Sequence, residues 1–186
     1  MKKTQYFVNY FKTIYQNLES IDSAQLEQAS SMSWETHQSS KKIIIAGNGG
    51  SAAMASHVAV DFTKAAGIRA VNFNEADLIT CFANDYGFEN WVAKAIEFYG
   101  DPGDVLLVIS SSGKSKNMIN ATASARAKKF SKIVTFSGFE ENNPLSQSGD
   151  INLWVNSKAY NYVENLHQIW LLALVDLVIG DKEYSA

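Results

Sequence analysis

The sequence predicts an α/β fold: a five-stranded parallel doubly wound sheet of flavodoxin-like order 2-1-3-4-5, with two N-terminal helices and a long C-terminal helix. Three observations predict it. Short β-branched apolar runs recur near residues 43–46, 69–73, 105–109, 132–136 and 151–155. Helix-spaced segments alternate with them near 51–65, 76–83, 89–98, 116–129 and 159–179, which implies right-handed βαβ crossovers. Two Gly/Ser-rich loops follow directly on the first and third runs, whose carboxyl ends border the topological switch point of such a sheet.

Ahead of the sheet, residues 4–19 set Phe7, Tyr10, Phe11, Ile14 and Leu18 at helical spacing, and 22–39 set Leu26, Ala29, Met32 and Trp34 among polar positions. Gly67, Gly100, Gly103, Gly138 and Gly149 punctuate the element ends further on. A chain of 186 residues without a linker or repeat reads as one domain, 1–186, with a helical extension over 1–40 and an α/β core over 41–186. Leu166–Ile179 is apolar on more than one face, but His167, Gln168 and Asp176 interrupt it. No stretch therefore reaches the roughly 18 apolar residues of a membrane span. One subunit of this size has too little surface to cover all these apolar helix faces, so helix-mediated homo-oligomerisation is expected.

Composition narrows the function classes. A net charge of −3 without a basic cluster argues against direct nucleic-acid binding. The single Cys81 rules out an internal disulfide framework and suits a reducing compartment; beside Phe82 it reads as a small buried hydrophobe. The start Met1-Lys2-Lys3-Thr4-Gln5 is basic but runs into an amphipathic pattern instead of a signal-peptide core, so a cytoplasmic protein is expected.

The two loops carry the chemistry. Ile43-Ile44-Ile45-Ala46 leads into Gly47-Asn48-Gly49-Gly50-Ser51, and Val105-Leu106-Leu107-Val108-Ile109 into Ser110-Ser111-Ser112-Gly113-Lys114-Ser115. Each reads as strand, tight loop and helix start, aiming backbone N–H groups and hydroxyls at an anion. Two such loops at neighbouring strand ends suggest one phosphate-bearing ligand between them. The first loop also satisfies the dinucleotide pattern G-x-G-x-x-A, with Glu75 at a suitable distance. Two preceding helices and a second hydroxyl-rich loop speak against a nucleotide cofactor. The second loop ends like a Walker A motif, but Val108 stands where that motif needs glycine. Its four serine hydroxyls instead suit a monoester phosphate. On the helix after Ser51, His57 and Asp61 fall at i and i+4, a spacing for a general base with a proton-shuttling imidazole or for two metal ligands. Glu164 and His167 lie one turn apart near the C-terminus, and Asn84-Asp85-Tyr86-Gly87-Phe88 reads as a polar turn between helices.

Taken together, these segments, with Gly103-Asp104-Val105-Leu106 and the last helix, resemble the sugar isomerase (SIS) domain superfamily, and within it the bacterial phosphoheptose isomerases, over nearly the whole chain. The resemblance implies a homotetramer with active sites between subunits. It also implies interconversion of sedoheptulose 7-phosphate and D-glycero-D-manno-heptose 7-phosphate through an enediolate, on the way to heptose for lipopolysaccharide or capsule. By matching position, Ser51, Ser110, Ser111, Ser112 and Ser115 take the phosphate, and Asn48, Gly49, Gly50, Asn84 and Asp85 line the sugar.

The chain departs from that pattern at the reacting groups. The family's glutamate base is Asp61 here, and its zinc set of His, Glu, Gln and His reads His57, Asp61, Glu164 and Leu172. Its aspartate before the last helix is Asn161, and its arginine beyond the base is Ala65, with Lys64 adjacent. Three candidate metal ligands remain, so weak or altered zinc binding is expected. An alternative is a pair of close carboxylates, Asp61 and Glu164, split into one base and one acid. Asp61 is then the base, Glu164 the second acid/base and His57 a support; His167 belongs to a different helix face from Leu172. Two other readings stay open: a non-catalytic SIS regulator that senses a sugar phosphate or docks a replication-initiation partner, and an isomerase of another ketose phosphate.

Overall fold

The computed structural model describes residues 3–180; Met1 and Lys2 of the basic start, and the extreme ends of the 1–186 domain range, lie outside it. Helices α1 (Lys3–Glu19) and α2 (Ser23–Gln38) precede the sheet. Then follow β1 (Ile43–Gly47), α3 (Gly50–Lys64), β2 (Ala70–Val71), α4 (Ala76–Tyr86), α5 (Trp91–Tyr99), β3 (Val105–Ser110), α6 (Lys116–Ala127), β4 (Lys132–Ser137), β5 (Ile151–Trp154) and α7 (Tyr160–Ile179). The five strands are parallel in the order β2-β1-β3-β4-β5, as the sequence predicts.

Side chains alternate across each strand, so the apolar runs serve two cores. Ile43, Ile45, Leu107, Ile109, Val134 and Phe136 face α2, α3 and α7, whose Met32, Val58, Phe62, Leu166, Trp170 and Leu174 close over them. Ile44, Leu106, Val108 and Ile133 face the other way, onto Trp91, Ile96, Met118 and Ala121 of α5 and α6. Each such fully buried aliphatic side chain stabilises the fold by about 1.5–3 kcal/mol relative to exposure.

The strand starts are tied by an ion pair at the opposite end from the loops. Asp104, 1% exposed, accepts from the Lys42 and Asp101 backbone N–H groups at 3.1 and 2.8 Å, and its carboxylate meets Lys42 Nζ at 2.6 Å. Burial works against the Lys42 ammonium, but the hydrogen bonds it donates to Asp101 and Asp104, with their negative charges, outweigh it and hold its pKa above the ordinary lysine value.

Several expectations are corrected. The second strand is two residues long, because only Ala70 and Val71 pair with β1 at the sheet edge. Asn84, Asp85 and Tyr86 form the last turn of α4, not a turn between helices; the chain breaks at Gly87, whose φ of 83° suits glycine. Cys81 is exposed beside Asp85 and is not a buried hydrophobe. α7 is long and apolar enough to cross a membrane by length and composition, contrary to the reading of its interrupted pattern. It packs as a core helix, with Val163, Leu166, His167, Trp170, Leu171, Leu174 and Val175 buried. α1 buries no residue: Ile14 and Leu18 rest against the core, Tyr10 packs on Tyr162, and Tyr6, Phe7, Phe11 and Tyr15 stay exposed.

Candidate active site

Parallel pairing of β1 with β3 sets Gly47 opposite Ile109, so the two Gly/Ser-rich loops emerge side by side. Gly47 is obligatory there, since a β-carbon would lie 2.6 Å from the Ser51 backbone. Gly49, at φ 55°, begins α3 without a side-chain cap, and Ser115 begins α6 without capping it. Both helices therefore present first-turn N–H donors that no capping side chain occupies, the arrangement that favours an anion.

The hydroxyls converge on the same end. Ser110 Oγ donates to Ser115 Oγ at 3.1 Å, and Ser112 Oγ accepts from the Lys114 backbone N–H at 3.3 Å. Ser51, Ser110 and Ser111 are buried. Asn48 and Asn117 join the first loop to α6 by exchanging two amide hydrogen bonds, of 3.0 and 2.8 Å. Asn117, 2% exposed, went unremarked in the sequence; its signal is its place two residues past Ser115.

The second loop rests on the β4–β5 connection. Gly138 N–H donates to the Ser111 carbonyl at 2.9 Å and Leu145 N–H to that of Gly113 at 3.1 Å. Asn143, 1% exposed, stands against Gly113, where a β-carbon would overlap its Oδ1. It too was missed, although the Asn143-Pro144 dipeptide is a turn signal.

The acid/base candidates are arranged differently from expectation. His57 Nε2 and Asp61 Oδ2 are 3.3 Å apart on α3, the imidazole about half exposed and the carboxylate less so. Glu164 instead lies at the α3 N-terminus: a β-carbon on Gly50 would be 3.0 Å from its Oε2. From Gly50 to Asp61 is eleven helical residues, roughly 16 Å of rise. Asp61 and Glu164 of one chain are therefore not the close carboxylate pair considered from the sequence. Asn84 donates to Asp85 at 2.8 Å, and Asp85 also accepts a long contact from the Cys81 thiol; neither bonds to the loops.

Within one chain the zinc set implied by the resemblance is not assembled. Leu172 offers no donor and packs against the core, Glu164 lies by Gly50, and among the described residues of one chain no three His, Cys, Asp or Glu side chains gather. His57 and Asp61 alone are fewer than the three protein ligands of a catalytic zinc site. His167 does not substitute. It is fully buried, its Nε2 donating to the Ser137 carbonyl at 3.1 Å, and burial pushes its pKa down to about 4.

A 2-1-3-4-5 parallel sheet with two hydroxyl-rich loops at its switch point is the arrangement of a sugar isomerase domain, and the sequence model of the SIS domain matches residues 6–137. A phosphoheptose isomerase of Sulfurimonas denitrificans is 31% identical over 162 residues, covering 84% of this chain and 81% of that protein. One of Helicobacter pylori is 31% identical over 178 residues, covering 92% and 91%. The solved phosphoheptose isomerase of Neisseria gonorrhoeae superposes with a TM-score of 0.87 at 26% identity, over 97% of this chain and all of that one. The chain belongs to the phosphoheptose isomerase family of SIS-domain proteins.

Proposed function

We propose that the protein is an aldose–ketose phosphosugar isomerase acting on sedoheptulose 7-phosphate to form D-glycero-D-manno-heptose 7-phosphate, in the cytoplasm, for lipopolysaccharide or capsule heptose. The observation that carries this reading is the pair of loops on adjacent strand ends, with serine hydroxyls and uncapped helix N-termini directed at one place. Family membership supplies the reaction class.

In this reading Ser51 and the serines of 110–115 hold the phosphate, and Asn48 with Gly49 and Gly50 borders the sugar. The Asp61 carboxylate takes the proton from one carbon and returns it to the neighbouring carbon through an enediolate. His57, 3.3 Å away, orients that carboxylate. Glu164, beside Gly50, protonates and deprotonates the sugar oxygens. The distance along α3 between Glu164 and the dyad means that one chain holds the two ends of the machinery apart. A homotetramer, in which exposed α1 and α7 side chains such as Phe7, Phe11 and Leu177 are covered, brings the dyad of one subunit to the loops of another. No step is assigned to a metal.

The test is incubation with sedoheptulose 7-phosphate in deuterated water, following C1/C2 exchange by NMR for the wild type and Asp61→Asn. Exchange abolished by the substitution supports the reading. Binding without exchange in the wild type would replace it with a sugar-phosphate-sensing regulator, and exchange that survives Asp61→Asn would remove Asp61 as the base.

A further inference from the structure

The second loop does not hold its own shape. Within 110–115 the internal hydrogen bonds are Gly113 N–H to the Ser110 carbonyl at 2.8 Å, the Ser110–Ser115 hydroxyl contact and the long Ser112–Lys114 bond. The Ser111 and Gly113 carbonyls are fixed from outside, by Gly138 and Leu145. Both donors sit in the connection between β4 and β5, so the loop is as well placed as that connection is.

One side chain organises the connection. Asn143 Nδ2 donates to the Ser137 hydroxyl at 3.0 Å and to the Glu140 carbonyl at 2.8 Å, while its Oδ1 accepts from Ser146 N–H at 2.9 Å. The amide thus ties the end of β4 to residues three and nine positions further on, on both sides of Leu145. Its Oδ1 also lies directly against Gly113, at φ 64°, leaving no room there for a side chain.

We infer that Asn143 is a positioning residue for phosphate binding: it fixes the β4–β5 connection, and through Gly113 and Leu145 it sets where the serine hydroxyls of 110–115 meet the phosphate. The inference rests on the phosphate role proposed for that loop. Because Asn143 is buried against Gly113, and its amide bonds to Ser137, Glu140 and Ser146 and to neither His57 nor Asp61, its effect falls on binding of the phosphate end and not on proton transfer.

The experiment measures KM and kcat for the sugar phosphate, the inhibition constant of inorganic phosphate, and thermal stability, for the wild type, Asn143→Ala, Asn143→Asp and Ser112→Ala. Asn143→Asp keeps the shape and the acceptor for Ser146 but removes the amide donors. In both Asn143 variants KM and the phosphate inhibition constant should rise together, about ten- to a hundredfold, with kcat within about threefold. A lowered melting temperature with both constants unchanged, or a loss confined to kcat, overturns the inference. Should neither variant fold, Ser137→Ala, which removes only one of the amide's partners, must raise the phosphate inhibition constant severalfold; no change overturns it equally. Ser112→Ala separates the two levels. If it leaves phosphate inhibition unaltered, the phosphate role of the loop itself falls. If it weakens inhibition while the Asn143 variants do not, only the positioning role falls.

Discussion

The side-chain amides of Asn48 and Asn117 are hydrogen-bonded to each other in both directions, at 3.0 and 2.8 Å, although 69 positions separate them in the chain. One belongs to the loop after β1 and the other to the first turn of α6, so the pair fixes the spacing between the two loops. A reciprocal amide pair also fixes which end of each amide points where, leaving one lone pair and one N–H of Asn48 unused by the pair.

Asn117→Leu keeps the volume and removes the pairing, leaving a partly buried amide without its partner. Its kcat/KM should fall about ten- to thirtyfold, the cost of one or two such bonds. A cycle with Asn48→Ala should show strong non-additivity. Additive losses would mean that the two amides act independently.

Asp61→Asn removes the proposed base and should lower kcat about a hundred- to ten-thousandfold while KM changes little. His57→Gln, which retains a polar group without an imidazole, should be milder and should alter the pH dependence of kcat. Steady-state assays across pH on both variants check this.

Because the proposed reaction runs on Asp61, His57 and Glu164 with no step assigned to a metal, prolonged chelation followed by desalting should leave kcat within about twofold. Metal content measured by mass spectrometry on the same sample accompanies the assay. Activity lost on chelation and restored by zinc would sink this prediction.

His167 makes stability depend on acidity. Its folded pKa of about 4 lies below the ordinary value of 6.5, so between these the unfolded chain binds a proton that the folded one refuses. The contribution is complete above about pH 6.5 and is lost as pH falls toward 4, amounting to about 3 kcal/mol. Urea unfolding from pH 7.5 to 4 should show that slope, and His167→Gln should flatten it. An unchanged slope would place the effect on the carboxylates.

Lys42→Met leaves the Asp104 carboxylate buried with its two backbone donors but without its cation. A destabilisation of about 3 kcal/mol is expected in urea titrations, with kcat preserved in the folded protein, since the pair sits at the strand starts. Lys42→Arg should recover part of it.

The sheet was legible because its strands are buried on both faces and so read as unbroken apolar runs, Ile43–Ala46 and Val105–Ile109 above all. The loops were legible because glycine and serine after such runs have few other uses. What the sequence left open was long-range and directional. Asn143 and Asn117 look like ordinary loop and helix asparagines until tertiary packing turns their amides onto Gly113 and Asn48. Cys81 reads as buried from its apolar neighbours, yet it lies on the exposed side of α4, a helix that buries none of its residues fully. Glu164 and Asp61 could be matched to a site by position, but not measured against each other.

The chain's own order of residues thus determined the fold class, the switch point and the two Gly/Ser-rich loops, because each follows from local periodicity and from backbone freedom at glycine. The tertiary structure decided what those loops rest on, that His167 is a buried neutral group bound to Ser137, and that Glu164 stands at Gly50, some three turns of α3 from Asp61. Those facts depend on how α7 and the β4–β5 connection cross the sheet, and helix crossing is set by the packing of side chains remote in sequence.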